Sequence, residues 1–109
     1  MIARMWRGLV PSDKAAEYVD VVEETGMTGY RQTPGNAGAQ ILTRDLGDGR
    51  TEIVTLSWWE SLEHIRAFAG DDISVAKYYP EDDDYLVERD KTVSHFEVTG
   101  SGDLPSGSD

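Results

Sequence analysis

The stretch GDGRTEIVTLSWWES, residues 47–61, contains a turn, a strand and the first residue of a helix. Gly47-Asp48-Gly49 is typical of the tight turn that joins two antiparallel strands. Arg50 to Trp59 is rich in β-branched and aromatic residues, which predicts a strand. Ser61 stands where a helix N-cap belongs. The stretch therefore predicts a β-hairpin whose second strand leads directly into a helix.

The residues before this stretch predict two further strands with a helix between them. Ile2 to Val10 is partly β-branched and aromatic and predicts the first strand. Ser12 begins a helix with apolar residues at helical spacing, and Gly26 is expected to end it. Residues 27–38 are expected to be irregular, and Ala39 to Asp45 predicts the second strand.

The residues after the stretch predict a helix that closes at Gly70, a further short helix over about 71–77, and a last strand. That strand runs from Lys91 to Val98 and completes one domain, residues 1–98. Residues 99–109 are small, polar and acidic, so they are expected to form a disordered C-terminal tail.

The element order β-α-β-β-α-β predicts an α+β, ferredoxin-like fold: a four-stranded antiparallel sheet with two helices on one face. A sheet with one wet face should have one polar set of alternating residues. In Arg50 to Trp59, however, both alternating sets are partly apolar. We therefore expect a homodimer in which the uncovered sheet faces pack against each other.

The composition excludes several classes of function. The 109 residues include 21 acidic and 10 basic ones, for a net charge of −11, which argues against nucleic-acid and membrane partners. The absence of cysteine excludes disulfides, thiolate metal sites and a cysteine nucleophile. No apolar run is long enough to span a membrane, and Arg4 and Arg7 interrupt any signal-peptide pattern, so a cytoplasmic location is expected.

Most of the negative charge lies after residue 55, in a stretch that contains 13 acidic and four basic residues. The run from Glu81 to Asp84 has no glycine turn and no alternation of ligands, unlike a calcium loop. We therefore interpret it as a solvated loop and expect no metal site.

Several aromatic and basic residues are candidates for a small-molecule site. Trp58 and Trp59 must point to opposite faces of their strand, so one of them faces the helices. Trp6 shares a strand face with Arg4, whose guanidinium holds planar anions such as a phenolate or a carboxylate. The alternatives are that the tryptophans are core anchors and that Arg4 extends to the sheet end or pairs with a carboxylate.

The remaining candidates lie near the strand and helix ends. His95 lies in the last strand and is the better acid–base candidate of two histidines, although a lone histidine is often structural; His64 is expected to be exposed. Tyr78 and Tyr79 offer phenols to a substrate or else cap the core. Other candidates for the pocket wall and its opposite lip are Phe68, Tyr30 and Arg31.

The element order, together with Trp59-Glu60-Ser61 and His95-Phe96-Glu97-Val98, resembles the antibiotic biosynthesis monooxygenase (ABM) domain family over residues 1–98. The resemblance implies a dimeric α+β barrel. Members include cofactor-independent monooxygenases that oxidise polycyclic aromatic polyketides, and heme-degrading monooxygenases; the superfamily also holds isomerases and decarboxylases. The heme-degrading branch has Asn, Trp and His at positions that fall here at about Trp6, Phe68 and Tyr78, so all three differ.

The resemblance implies a cofactor-independent monooxygenase that acts on an aromatic or polyketide-like substrate between sheet and helices. It assigns proton transfer to His95 or Tyr78, stabilisation of the anion to Arg4, and the walls to Trp6 and Trp59. The alternative is a non-oxidative binding protein or an isomerase/cyclase of the same fold. A solidly filled space between sheet and helices would exclude both.

Overall fold

The computed structural model describes residues 1–102. The strands are β1 Ile2–Pro11, β2 Asn36–Asp45, β3 Arg50–Trp59, β4 Glu88–Arg89 and β5 Ser94–Glu97. The α-helices are α1 Ala15–Val22, α2 Thr28–Gln32 and α3 Leu62–Ala69. A π-helical turn, Glu23–Met27, joins α1 to α2, and two 3₁₀ turns are Ser12–Lys14 and Pro80–Asp84.

The strands form one antiparallel sheet in the order β2-β3-β1, and β4 and β5 both pair with the free edge of β1. β1 and β3 pair along their full length, from Ile2 opposite Trp59 to Pro11 opposite Arg50. The predicted α+β, ferredoxin-like fold is confirmed. The sequence predicts one last strand, but in the structure two short strands, β4 and β5, lie beside β1 instead.

The register assigns each residue of the central strands to one face of the sheet. Trp59, Ile53 and Val10 lie on the helix-covered face and are fully buried in the core. The other face carries Leu56 and Trp58, which are half-buried because no helix covers them. The two tryptophans therefore point in opposite directions, and Trp59 is the one that faces the helices.

The first helical segment is longer than the sequence predicts. The sequence predicts that Gly26 ends the helix and that residues 27–38 are irregular, and both predictions are wrong. The π-helical turn passes through Gly26, and α2 continues to Gln32. Met27 and Tyr30 are buried in the core. The burial of these two side chains stabilises the helix that continues past Gly26, although glycine has a poor helix propensity.

The segment 70–79 contains no helix, so the short helix expected at 71–77 is wrong. The Asp72 side chain accepts hydrogen bonds from the backbone N–H and the hydroxyl of Ser74, which favours a turn. The carbonyl groups of Ile73 and Val75 accept hydrogen bonds from Arg4 instead of from a helical turn. The segment is thereby bound to the sheet as an extended cover.

Two expectations concern the ends of the chain. Residues 99–102 lie in no helix or strand, while 103–109, the rest of the expected tail, lie outside the described residues. The domain boundary at 98 stays a prediction. Within residues 1–102 no helix is long and apolar enough to cross a membrane.

α3 offers a matched test of the core. Ile65 is 0% exposed and Leu62 is 42% exposed on the same helix. We expect Ile65→Ala to lower the free energy of unfolding by about 2–5 kcal/mol, because it leaves a cavity in the core. Leu62→Ala should cost less than about 1 kcal/mol in the same urea titration. Equal losses in the two variants would contradict the position of the core.

Candidate functional site

A narrow cavity of about 50 Å³ lies between the sheet and the helical layer. Aromatic side chains dominate its wall: Trp6, Tyr18, Tyr30, Phe68, Tyr78 and Tyr79. Its volume suffices for a few water molecules, at about 10–15 Å³ for each. The space between sheet and helices is thus not solidly filled, and any ligand larger than one ring would require the wall to move.

Arg4 reaches the cavity from β1 and is only 4% exposed. Its Nη1 donates to the carbonyl of Ile73 (2.6 Å) and its Nη2 to that of Val75 (3.4 Å). Among residues 1–102 no carboxylate lies within ion-pair distance of Arg4, although six other arginines in that range form ion pairs. Burial lowers the pKa of its guanidinium. As far as residues 1–102 form it, the site therefore contains a buried cation without a counter-ion.

His95 lies opposite Arg4 in the β1–β5 register. Its Nε2 is 2.9 Å from Arg4 Nη1 and, because a guanidinium only donates, it must accept this hydrogen bond as a neutral ring. Burial, and secondarily the Arg4 charge, lowers the pKa of His95. His95 does not line the cavity; it lies against Arg4 and orients that side chain.

Tyr78 lies at the cavity wall, but its hydroxyl already has two partners. It accepts a hydrogen bond from Trp6 Nε1 (2.8 Å) and donates one to the carbonyl of Asp90. The Arg89 guanidinium lies over the Tyr78 ring, 4.7 Å from its centre. Burial raises the pKa of the Tyr78 phenol. These contacts fix the rings of Trp6 and Tyr78 as a rigid wall.

Lys77 and Asp82 complete the charged part of the lining, and neither was predicted from the sequence to belong to the site. Lys77 Nζ donates to the carbonyl of Phe68 (3.2 Å) and lies 4.6 Å from the centre of that ring. Asp82 is 4% exposed and accepts hydrogen bonds from the Tyr18 hydroxyl (3.0 Å) and the Tyr79 backbone N–H (2.8 Å). Asp82 therefore departs from the solvated loop expected for residues 81–84.

One signal could have identified Asp82 as a structural residue. Pro80 at the first position of a turn, with an acidic residue two positions later, is the pattern of a helix start whose side chain caps the preceding N–H. Lys77 had no comparable signal, because its place in the cavity depends on the extended path of segment 70–79.

The candidates from the sequence divide into two groups. The cavity brings together Arg4, Trp6, Tyr30, Phe68, Tyr78 and Tyr79. Trp59 lies beside it in the core, with its Nε1 donating to Ser57, while Trp58 lies on the opposite sheet face. Arg31 forms an exposed ion pair with Glu23 (2.7 Å) and does not line the cavity.

Two glycines make room for rings in this region. A Cβ at Gly8 would lie 2.6 Å from Cη2 of Trp6, so only glycine leaves the Trp6 ring in place. Gly35 has a φ of 88°, and a Cβ there would lie 2.1 Å from the His64 ring. His64 is accordingly half-buried, contrary to the exposure expected, and hydrogen-bonds Ser61 Oγ through Nδ1 (2.8 Å).

The arrangement can bind and orient an aromatic molecule and stabilise negative charge on it, because it combines flat apolar walls with a buried cation. Within residues 1–102 no three histidine, aspartate or glutamate side chains cluster as metal ligands do.

Solved structures share this fold. A Bacillus cereus protein named as an antibiotic biosynthesis monooxygenase matches 94% of this chain and 97% of its own, with 16% identity and a TM-score of 0.67. SnoaB, a cofactor-independent oxygenase from Streptomyces nogalater, matches 92% and 95%, with 13% identity and a TM-score of 0.61. The heme-degrader MhuD from Mycobacterium tuberculosis matches 94% and 100%, with 20% identity and a TM-score of 0.60.

These likenesses confirm the ABM fold predicted from the sequence. No family model and no curated protein matches the sequence itself.

The contact between His95 and Arg4 predicts a pH-dependent stability. Because its pKa is lowered in the folded protein, His95 is protonated first in the unfolded chain as the pH falls. We expect the free energy of unfolding to fall between about pH 7 and pH 5, and His95→Gln, which keeps an acceptor but does not titrate, to flatten this slope. Urea titrations at both pH values measure it; an unchanged slope in His95→Gln would contradict the assignment.

Proposed function

We propose that this chain is a member of the ABM family and a cofactor-independent monooxygenase that acts on an aromatic small molecule. The observation that carries the proposal is a cavity with aromatic walls that contains the buried Arg4 cation, which has no acidic partner in the part of the chain that the structure describes. The likeness to SnoaB supports the same choice of chemistry. A cytoplasmic location remains a prediction from the sequence.

The reaction can balance without a bound cofactor when the substrate is an electron-rich phenolate. The ring supplies all the electrons that reduce O₂. A C–O bond forms between the ring and one oxygen atom, and the O–O bond then breaks. The first oxygen becomes a quinone carbonyl, and the other leaves as hydroxide with the proton from the ring carbon. A proton from solvent, equal to the one released when the phenol ionised, converts this hydroxide to water.

The protein's part is electrostatic and steric. Arg4 stabilises the anion, because a nearly buried guanidinium interacts more strongly with charge than one in solvent. Trp6 and Tyr78 hold the ring plane through their fixed geometry. A ring that fills the narrow cavity displaces the water it can hold, which keeps water from the reactive intermediate.

Heme does not fit the residues present. Tyr78 falls near the position where the resemblance places the heme ligand, and a tyrosinate can bind heme iron. Its oxygen, however, is engaged by Trp6 and Asp90, and burial raises its pKa, which disfavours the tyrosinate. The likeness to MhuD therefore carries no heme chemistry into this proposal.

The proposal is tested by supplying a tricyclic phenol and a single-ring phenol to the protein and recording O₂ uptake and quinone absorbance. We expect quinone to form under air and to stop under argon, and Arg4→Gln to reduce kcat/KM by about 10–100-fold, on the scale of one lost electrostatic contact. Arg31→Gln, outside the cavity, is the control. Equal turnover under argon would instead support an isomerase or cyclase, and binding without turnover a binding protein.

We also propose that the chain acts as a homodimer through its uncovered sheet face. This face carries apolar side chains that no helix covers: Met5, Leu42, Val54, Leu56, Trp58 and Phe96. Phe96 is 52% exposed and Leu42 45% exposed. A contiguous apolar patch with a polar rim is typical of a protein–protein contact, and a second copy supplies a self-complementary one.

At one end of this face Glu52 bonds Arg7 and accepts from Arg44 (2.8 Å), which joins three adjacent strands by charge. The pKa of Glu52 is lowered by its hydrogen bond to Arg7. This ion cluster gives the proposed contact a polar border.

Sedimentation measures the association. We expect a mass near twice the 12.1 kDa of one chain at micromolar concentration. Leu56→Glu should give a monomer, because it places a charge in the centre of the apolar face. Leu62→Glu on α3 is the matched control and should stay dimeric. A monomeric wild type, or a dimeric Leu56→Glu, would contradict the proposed face.

A further inference from the structure

Lys77 is a second cation on the cavity wall, and it too has no acidic partner within residues 1–102. Its side chain is exposed on the solvent side, whereas Arg4 is buried. Of its three N–H donors, one reaches the Phe68 carbonyl, so two stay available. The lining thus holds two cations against one carboxylate, Asp82, in a chain whose net charge is −11.

The hydrogen-bond donors of Arg4 also indicate that the site can bind an anion. The Nε–H of Arg4 has no acceptor among residues 1–102. In the same residues every side-chain nitrogen that is cut off from solvent has a hydrogen-bond partner. The Nε–H is therefore in contact with solvent and free to bind a further acceptor. A buried cation with a free donor is costly unless an anion completes it.

Among residues 1–102, most groups of the site that could remove a proton from a substrate are engaged in hydrogen bonds, and the Tyr79 phenol is a poor base because burial raises its pKa. His95 Nε2 accepts from Arg4, and the Tyr78 hydroxyl donates to Asp90. Each oxygen of Asp82 already accepts one hydrogen bond, from Tyr18 or from Tyr79. Within residues 1–102 the site therefore offers two positive charges, and its imidazole and carboxylate neighbours already hold hydrogen bonds.

We propose that the site selects a substrate that is already an anion, a single-ring phenolate or a similarly acidic enolate, held between Arg4 and Lys77. Only the turnover of such a substrate rests on the proposed function, because its binding needs no oxygen. The narrow cavity agrees with one ring. Ionisation then precedes binding, and the protein discriminates by charge between the phenolate and its neutral acid.

Binding under argon tests the inference apart from catalysis. The probes are 4-nitrophenol, whose phenolate absorbs visible light, and its neutral methyl ether, 4-nitroanisole. We expect the phenolate to bind at least about tenfold more tightly than the ether, a difference of about 1.4 kcal/mol. Binding of 4-nitrophenol should strengthen as the pH rises through the probe's own pKa and then level off, while binding of the ether stays constant.

Variants assign the effect to the charge. Lys77→Met keeps the alkyl chain over Phe68 and should weaken phenolate binding about three- to tenfold, whereas Lys77→Arg should retain it. Lys14→Met removes an exposed lysine in the 3₁₀ turn Ser12–Lys14, outside the cavity lining, and should change binding less than about twofold. Because Lys77 is exposed, these variants are expected to fold even if Arg4 variants do not.

Two results would overturn the inference: equal affinity for 4-nitrophenolate and 4-nitroanisole, or phenolate binding in Lys77→Met as tight as in the wild type. For turnover, kcat/KM is measured against pH with ring-substituted phenols of different acidity. We expect the pH at which kcat/KM falls on the acid side to follow the pKa of each phenol. A fall at the same pH for every phenol would instead indicate a base on the protein. Phenolate binding without oxygen uptake would retain the anion site and refute the monooxygenase.

Discussion

The contacts of the Arg4 guanidinium join three parts of the chain that are distant in sequence. They bind the cover segment 70–79 through the carbonyls of Ile73 and Val75, and they meet His95 on β5. A buried cation without a carboxylate depends on such carbonyl dipoles for stabilisation. The same contacts define the cavity, because they keep segment 70–79, with Lys77 and Tyr78, against the sheet.

The charge distribution separates what the exterior and the cavity can bind. The net charge of −11 excludes partners that need a broad positive face. Most exterior charges act through water, where salt screens them within about 10 Å. A nearly buried guanidinium such as that of Arg4 is screened much less, so a small anion can be attracted inside a chain whose surface repels it.

The sequence predicted the fold well because its strands, turns and the capped helix α3 follow from local patterns. It also placed Arg4 and Trp6 on one face, since strand alternation alone decides this. It missed the continuation through Gly26, where burial of Met27 and Tyr30 outweighs local propensity. It also missed Lys77 and the engagement of His95, because both depend on contacts between segments far apart in the chain.

Gly8 determines the shape of the cavity without lining it. The Trp6 ring occupies the space that a side chain at this position would fill, close to Leu86 as well. One added methyl group would displace the ring and alter the pocket while leaving every lining residue unchanged. Proteins of this fold can therefore diverge in the size of ligand they accept through a position that a comparison of lining residues would overlook.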